Sequence, residues 1–211
     1  PHKYCATTGS NSNSGVLTDP FLTIQYAIGQ AIDDDIIHVA AGTYVENINY
    51  NGKNIAVIGE DRETTIIDGD QSGACAVFIG VSGSLENFSI TNGSGYSSNE
   101  DLFGGGLYGE ANGFLLKNLN IYNNSAQYGG GIYSSGDDII LENLIIFNNS
   151  AGYGGGMSLN HDNPGSCEII NCTVIENSAN VGAGLVSQGA TIVNSIFTQN
   201  TPSNIDFSPW G

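Results

Sequence analysis

Leu116-Lys117-Asn118-Leu119-Asn120-Ile121-Tyr122-Asn123-Asn124-Ser125-Ala126, followed by Gly129-Gly130-Gly131-Ile132-Tyr133, is a unit that this 211-residue chain repeats. A second copy runs from Leu141-Glu142-Asn143 through Phe147-Asn148-Asn149-Ser150-Ala151 to Gly154-Gly155-Gly156-Met157. A third spans Ile169-Ile170-Asn171 to Gly182-Ala183-Gly184-Leu185, and a shortened fourth runs from Ile192-Val193-Asn194 to Asn200. Self-similarity at this period marks a solenoid. Between the leading asparagines Asn87, Asn118, Asn143, Asn171 and Asn194 the spacing is 31, 25, 28 and 23 residues. That is the chain needed for one coil of three short strands and tight corners.

The slots within the unit have physical roles. Residues one and three after each Asn are Phe88 and Ile90, Leu119 and Ile121, Leu144 and Ile146, Cys172 and Val174. The two-residue period of a strand turns them inward, and stacked coils make each slot an aliphatic ladder. The Asn tolerates left-handed backbone angles, and its amide can bond the Asn of the next coil. A second Asn six residues later predicts another ladder at the next corner. The glycines allow close backbone approach.

Before the repeat, Tyr4 to Gly15 reads as a short strand running into a polar loop. Phe21, Ile24, Ala27, Ile28 and Ala31 fall at helical spacing, ended by Asp33-Asp34-Asp35. Ile36–Val39, Tyr44–Ile48, Ile55–Ile58 and 65–67 are β-branched strand signals. The expected fold is all-β, a parallel β-helix with a short N-terminal capping helix. Residues 1–35 form the strand, loop and cap, and 36–211 the coils. The stretch Ser94 to Asp101 is expected to loop out, and the C-terminal end lacks a cap. That bare end suggests a longer natural protein, or end-to-end self-association of copies.

A formal net charge of -17, from 21 acidic against 4 basic residues, argues against a nucleic-acid partner. It argues equally against an anionic membrane surface, and no apolar run approaches the roughly 20 residues that span a bilayer. Four cysteines, Cys5, Cys75, Cys167 and Cys172, permit three pairings. Cys172 sits in the slot of Leu119 and Leu144 and reads as a small buried hydrophobe, while a Cys5–Cys75 bridge is left open. Asp33-Asp34-Asp35, Asp68-Gly69-Asp70 and Glu100-Asp101 carry oxygen ligands suited to Ca2+, without the spacing of a calcium loop.

Thr23-Ile24-Gln25-Tyr26-Ala27-Ile28 with Asp35 to Ile48 resembles the first coil of the pectin-lyase-like superfamily of right-handed parallel β-helix proteins, an opening also found in pectin methylesterases. Phe147-Asn148-Asn149 with Gly154-Gly155-Gly156 is similar to the repeats of polymorphic outer-membrane adhesins. Together the resemblance implies the fold over nearly the whole chain, and secretion or surface display. It does not select a function, because this fold hosts lyases, hydrolases, esterases and adhesins.

The family's lyases use an Arg or Lys base beside calcium-binding carboxylates, and its hydrolases use clustered aspartates. Here Lys117 lies between its sister positions Glu86 and Glu142 and reads first as a rung of an ion-pair ladder. Asp137-Asp138 is the close acidic pair of the repeat region, at an expected corner, and His161 opens a polar loop. Tyr96, Tyr108, Tyr128, Tyr133 and Tyr153 read as exposed aromatics suited to sugar stacking. The expected function is therefore a non-catalytic scaffold for glycan binding or adhesion. Lys117, Tyr108, Tyr133, Asp137, Asp138 and His161 are its candidate contacts. The alternative is a polysaccharide lyase or glycoside hydrolase acting on acidic polysaccharide.

Overall fold

The computed structural model describes residues 1–161 and 166–207. Three parallel sheets run the length of the chain. The first, eight-stranded, orders His2–Cys5, Ile36–Val39, Ala56–Gly59, Ser84–Glu86, Leu115–Lys117, Ile139–Glu142, Cys167–Ile170 and Thr191–Val193. The second holds Gly42–Val45, Thr65–Asp68, Ser89–Thr91, Asn120–Tyr122, Ile145–Phe147, Thr173–Ile175 and Ile196–Thr198. The third holds Ile48–Asn49, Ala76–Ile79, Leu107–Glu110, Ile132–Ser134, Met157–Leu159, Leu185–Ser187 and Ile205–Asp206. The chain visits the sheets in rotation, so each strand pairs with the strand one coil away. The result is the parallel β-helix expected from the repeat.

The register stacks like on like. Leu85, Leu116, Leu141 and Ile169 align inside the first sheet, and Ile90, Ile121, Ile146 and Val174 inside the second. Leu107, Ile132, Met157 and Leu185 line the inside of the third. All of these are fully or almost fully buried, forming one continuous core. Cys172 joins Leu119 and Leu144 in the corner slot. All four cysteines are buried free thiols, so the Cys5–Cys75 bridge does not form.

Two asparagine ladders hold the corners. Between the first and second sheets, the leading asparagines have left-handed φ of 48–63°. Asn118 Nδ2 donates to Asn87 Oδ1, and Asn143 Nδ2 to Asn118 Oδ1, each at 2.8 Å. The second ladder, Asn124, Asn149, Asn177 and Asn200, lies inside the coil and is more complete. Asn149 Oδ1 accepts from both the backbone N–H and Nδ2 of Asn124, at 3.0 Å. Its own Nδ2 donates to Asn177 Oδ1, Ile121 O and Phe147 O. Asn177 repeats the pattern towards Asn200, and Asn200 towards Asn204. Next to this corner the glycines press backbone on backbone. A Cβ on Gly130 would lie 2.4 Å from Gly155 O and 2.5 Å from Ser150 O.

The helix is Ile24–Gln30, shorter than the expected stretch, with Ile24, Ala27 and Ile28 buried. Seven residues are too few for a stable isolated helix. Here both ends are held by side chains. Thr23 Oγ1 accepts from Tyr26 N, and the two Glu46 oxygens accept from Ile24 N and Gln25 N at 3.0 and 2.9 Å. Lys53 Nζ donates to the carbonyls of Ile28 and Gly29. The expected loop at 94–101 is instead an antiparallel hairpin, Tyr96–Ser98 with Asp101–Phe103. The expected strand 44–48 breaks at Glu46-Asn47, where the chain turns from the second sheet to the third.

The two ladders predict unequal costs. Asn149→Ala strands several buried N–H and C=O groups at about 1–3 kcal/mol each. It should lower the unfolding free energy by at least about 3 kcal/mol. Asn143→Ala, on the exposed ladder, should lower it by about 1 kcal/mol or less. Urea denaturation followed by circular dichroism compares the two. Equal losses would contradict the inner ladder's dominance.

Candidate functional site

The outer face of the third sheet gathers the aromatic side chains. By register, Val77, Tyr108, Tyr133, Ser158 and Val186 form one outward row, continued by Asp206. Tyr96 stacks on Tyr108 at 4.4 Å between ring centroids, and Tyr108 on Tyr133 at 5.7 Å. A second column, Phe103, Tyr128 and Tyr153, stacks at 5.0 and 5.4 Å. Phe103 ties the columns together, tilted against Tyr133 at 4.8 Å. The hairpin Tyr96–Ser98/Asp101–Phe103 thus folds its rings onto the sheet. Tyr108 and Tyr133 are only 5% and 9% exposed. Their faces are spent on one another, so the expectation of open stacking platforms at these tyrosines is corrected.

What the face presents outward is polar. Tyr108 Oη donates to Glu110 Oε2 at 2.9 Å, and Asn160 and Ser135 hydrogen-bond the Tyr133 hydroxyl. Burial, reinforced for Tyr108 by Glu110, pushes both phenols above their ordinary range, so they act as neutral hydroxyls. Asp101 lies on the same side of its strand as Phe103 and, with Phe103, Tyr128, Tyr133 and Asn160, lines a cavity of about 240 Å³. Glu110 is exposed at the end of Leu107–Glu110, two residues from Tyr108 and so on the same outer face. Two carboxylates therefore border one aromatic surface. A roomier recess of about 300 Å³ near the N-terminus is lined mainly by apolar groups, with Glu60 as its single carboxylate.

The residues singled out in the sequence are dispersed. Lys117 is on the outside of the first sheet, 3.0 Å from Glu142 Oε2 and in register with Glu86. It is an ion-pair rung on another face from the aromatic columns. Asp137 and Asp138 form the corner before Ile139–Glu142, with Asp138 at φ 57° and Asp137 Oδ1 accepting from Ser166 Oγ. His161 is buried at that corner, its Nδ1 against Gly136 O. Residues 162–165 of its loop lie outside the described residues. Among the described residues no three of His, Cys, Asp or Glu converge as a metal-ligand group. Three carboxylates of the acidic runs are engaged locally. Asp35 meets the Pro1 amine and Lys3, Asp33 accepts from Asn54 N, and Asp68 accepts from Asp70 N and Asn92. Asp101 and Glu110 were not singled out in the sequence: the hairpin places Asp101 in the cavity, and the outward alternation of Leu107–Glu110 places Glu110 beside Tyr108. The signal available was the matching tyrosine positions around them.

No protein-family profile and no curated protein matches this chain. Solved structures do match, and the likeness shows the fold, a right-handed parallel β-helix. Pectin methylesterase PemA from Erwinia chrysanthemi superposes with a TM-score of 0.62 at 15% identity, over 92% of this chain and 64% of that one. The chain thus spans somewhat less than two thirds of that enzyme's length. A pectin methylesterase from carrot (TM-score 0.48, 18% identity, 92% of this chain and 63% of that one) also matches. So does a rhamnogalacturonan lyase (0.39, 16%, 97% and 64%). The expectation of a non-catalytic adhesive scaffold is overturned by the superposition on PemA, which is named as an enzyme. Its premise of exposed aromatic faces fails at Tyr108 and Tyr133, which are buried, and holds at Tyr153, which is exposed.

Two predictions follow from this geometry. Lys117→Ala removes a half-exposed pair, so it should change stability by less than about 1 kcal/mol. Thermal denaturation of the variant measures this. His161 is held below its ordinary value of 6.5, chiefly by burial, and His38 likewise by burial and by neighbouring His2. The fold favours the neutral rings, so their contribution is complete above about pH 6.5 and is lost as pH falls through the lowered values. The urea midpoint should therefore drop as pH falls below about 6.5, and less steeply in His161→Gln. An unchanged slope in the variant would remove His161 from this account.

Proposed function

We propose that the chain acts on a pectin-type polysaccharide as a glycoside hydrolase, with Asp101 and Glu110 as its acid–base pair. The observation that carries this reading is the placement of two carboxylates on the outer face of the third sheet, around one pair of aromatic columns. Hydrolysis of a glycosidic bond needs two carboxyl groups, one to protonate the leaving oxygen and one to activate water or attack. Glu110, oriented by the Tyr108 hydroxyl, serves as the base, and Asp101 as the proton donor. Asn160 and Tyr133 supply hydrogen bonds to sugar hydroxyls.

The placement of the cations favours hydrolysis over elimination. Lys3, Lys53, Arg62 and Lys117, the chain's four basic residues, are committed to Asp35, the helix carbonyls, Glu63 and Glu142 respectively. None lines this cavity, so a lyase-type basic residue has no representative there. In this reading the short helix caps the N-terminal end of the coil. Secretion follows from the size of a polymeric substrate, and no helix among the described residues is long and apolar enough to cross a membrane.

Asp101→Asn and Glu110→Gln should each lower kcat by about 10²- to 10⁴-fold while circular dichroism stays unchanged. The assay is release of reducing ends from pectins of graded esterification. Unsaturated products, or methanol release without chain shortening, would instead assign a lyase or an esterase and overturn the hydrolase reading.

A further inference from the structure

Asn stands directly before Gly at Asn51-Gly52, Asn92-Gly93 and Asn112-Gly113. With no side chain on the second residue, its backbone nitrogen can swing onto the amide carbon of the Asn. The fold treats the three steps differently. Gly93 N donates to Asn124 Oδ1 at 2.8 Å inside the corner ladder, and Asn92 Nδ2 donates to both Asp68 oxygens. Gly113 N donates to Asp137 O at 2.9 Å, while Asn112 Oδ1 accepts from Asp137 N. In both cases the attacking nitrogen and the amide are tied to other groups.

At Asn51 neither is tied. Tyr50 O accepts from Lys53 N at 3.1 Å, closing a turn whose central residues, Asn51 and Gly52, have φ of 53° and 75°. Positive φ at both positions is the signature of a type I′ turn. Both residues are exposed, and a Cβ on Gly52 would meet nothing within 4 Å. Among the described residues, neither the Asn51 side-chain amide nor the Gly52 N–H has a hydrogen-bond partner.

We infer that Asn51 is the preferred site at which this chain converts spontaneously to isoaspartate and aspartate. Gly52 N attacks Asn51 Cγ, a C–N bond forms, and ammonia leaves. Water then opens the cyclic imide at one of its two carbonyls. The sum is amide plus water giving carboxylic acid plus ammonia, with no oxidant or reductant. The attacking nitrogen must lose its proton, so conversion quickens as pH rises. Opening at the main-chain carbonyl routes the backbone through Cβ and Cγ and adds an atom to the turn. Lys53, at the end of that turn, donates from Nζ to Ile28 O and Gly29 O. Lengthening the turn therefore shifts the side chain that caps the helix C-terminus.

The test is to age the whole protein in heavy-oxygen water at mildly alkaline pH, folded and in urea, and to map the label by peptide mass spectrometry. In the folded protein Asn51 should take up label at least about tenfold faster than Asn92 or Asn112, the factor expected when the competing steps must first break one or two hydrogen bonds. In urea the three rates should converge. Equal rates in the folded protein, or the same lead for Asn51 in urea, overturns the inference. Asn51→Gly, which a type I′ turn accommodates, should leave this turn unlabelled. Amide exchange at Ile24–Gln30 should be faster in the aged protein than in Asn51→Asp, which gains the charge without the added backbone atom. Equal exchange in the two would overturn the link from the turn to the helix.

Discussion

A buried asparagine that hydrogen-bonds its own copy in the next coil is the constraint on which this structure depends. A β-helix has no turn-closing strand partner within one coil, so each corner leaves backbone groups pointing inward with no water to receive them. In Asn124, Asn149, Asn177 and Asn200 one side chain answers several of these groups at once, and passes the same geometry on. The ladder therefore satisfies the corner and sets the register between coils. The inward aliphatic rows follow from that register, since a one-residue slip would turn every Leu and Ile outward.

The same register organises the outside. Tyr108 and Tyr133 stack because their strands align, and Phe103, Tyr128 and Tyr153 stack because the neighbouring turns align as well. The rings act as a second, external core, sealed by the hairpin at Tyr96–Phe103. Their hydroxyls and the flanking carboxylates form the chemical surface. In the proposed reading the solenoid builds its site on the edge of a packed layer, where positions are held by stacking rather than by loops.

The fold was legible because the repeat carries it in every coil. Asn at fixed offsets and glycine pairs specify corners, and the two-residue alternation specifies which side faces in. The site was less legible, for two physical reasons. Alternation tells that Tyr108 and Tyr133 point out of the sheet, but not that a hairpin covers them, so exposure was misread from an orientation. The placement of Asp101 in the cavity depends on that same hairpin, a segment outside the repeat with no sister copy to reveal its geometry. Lys117, by contrast, was readable as a salt-bridge rung because its neighbours one coil away, Glu86 and Glu142, were already fixed by the repeat.

Burial holds the four thiols, Cys5, Cys75, Cys167 and Cys172, in their protonated form, with pKa values pushed up to about 11 or 12. A thiol that does not ionise is a poor nucleophile and a poor partner in exchange. The coil is consequently indifferent to the redox state around it: it matures without an oxidant and is not loosened by a reductant. Its cohesion is carried by ladders of amides and hydrocarbons, which operate alike in reducing and oxidising surroundings.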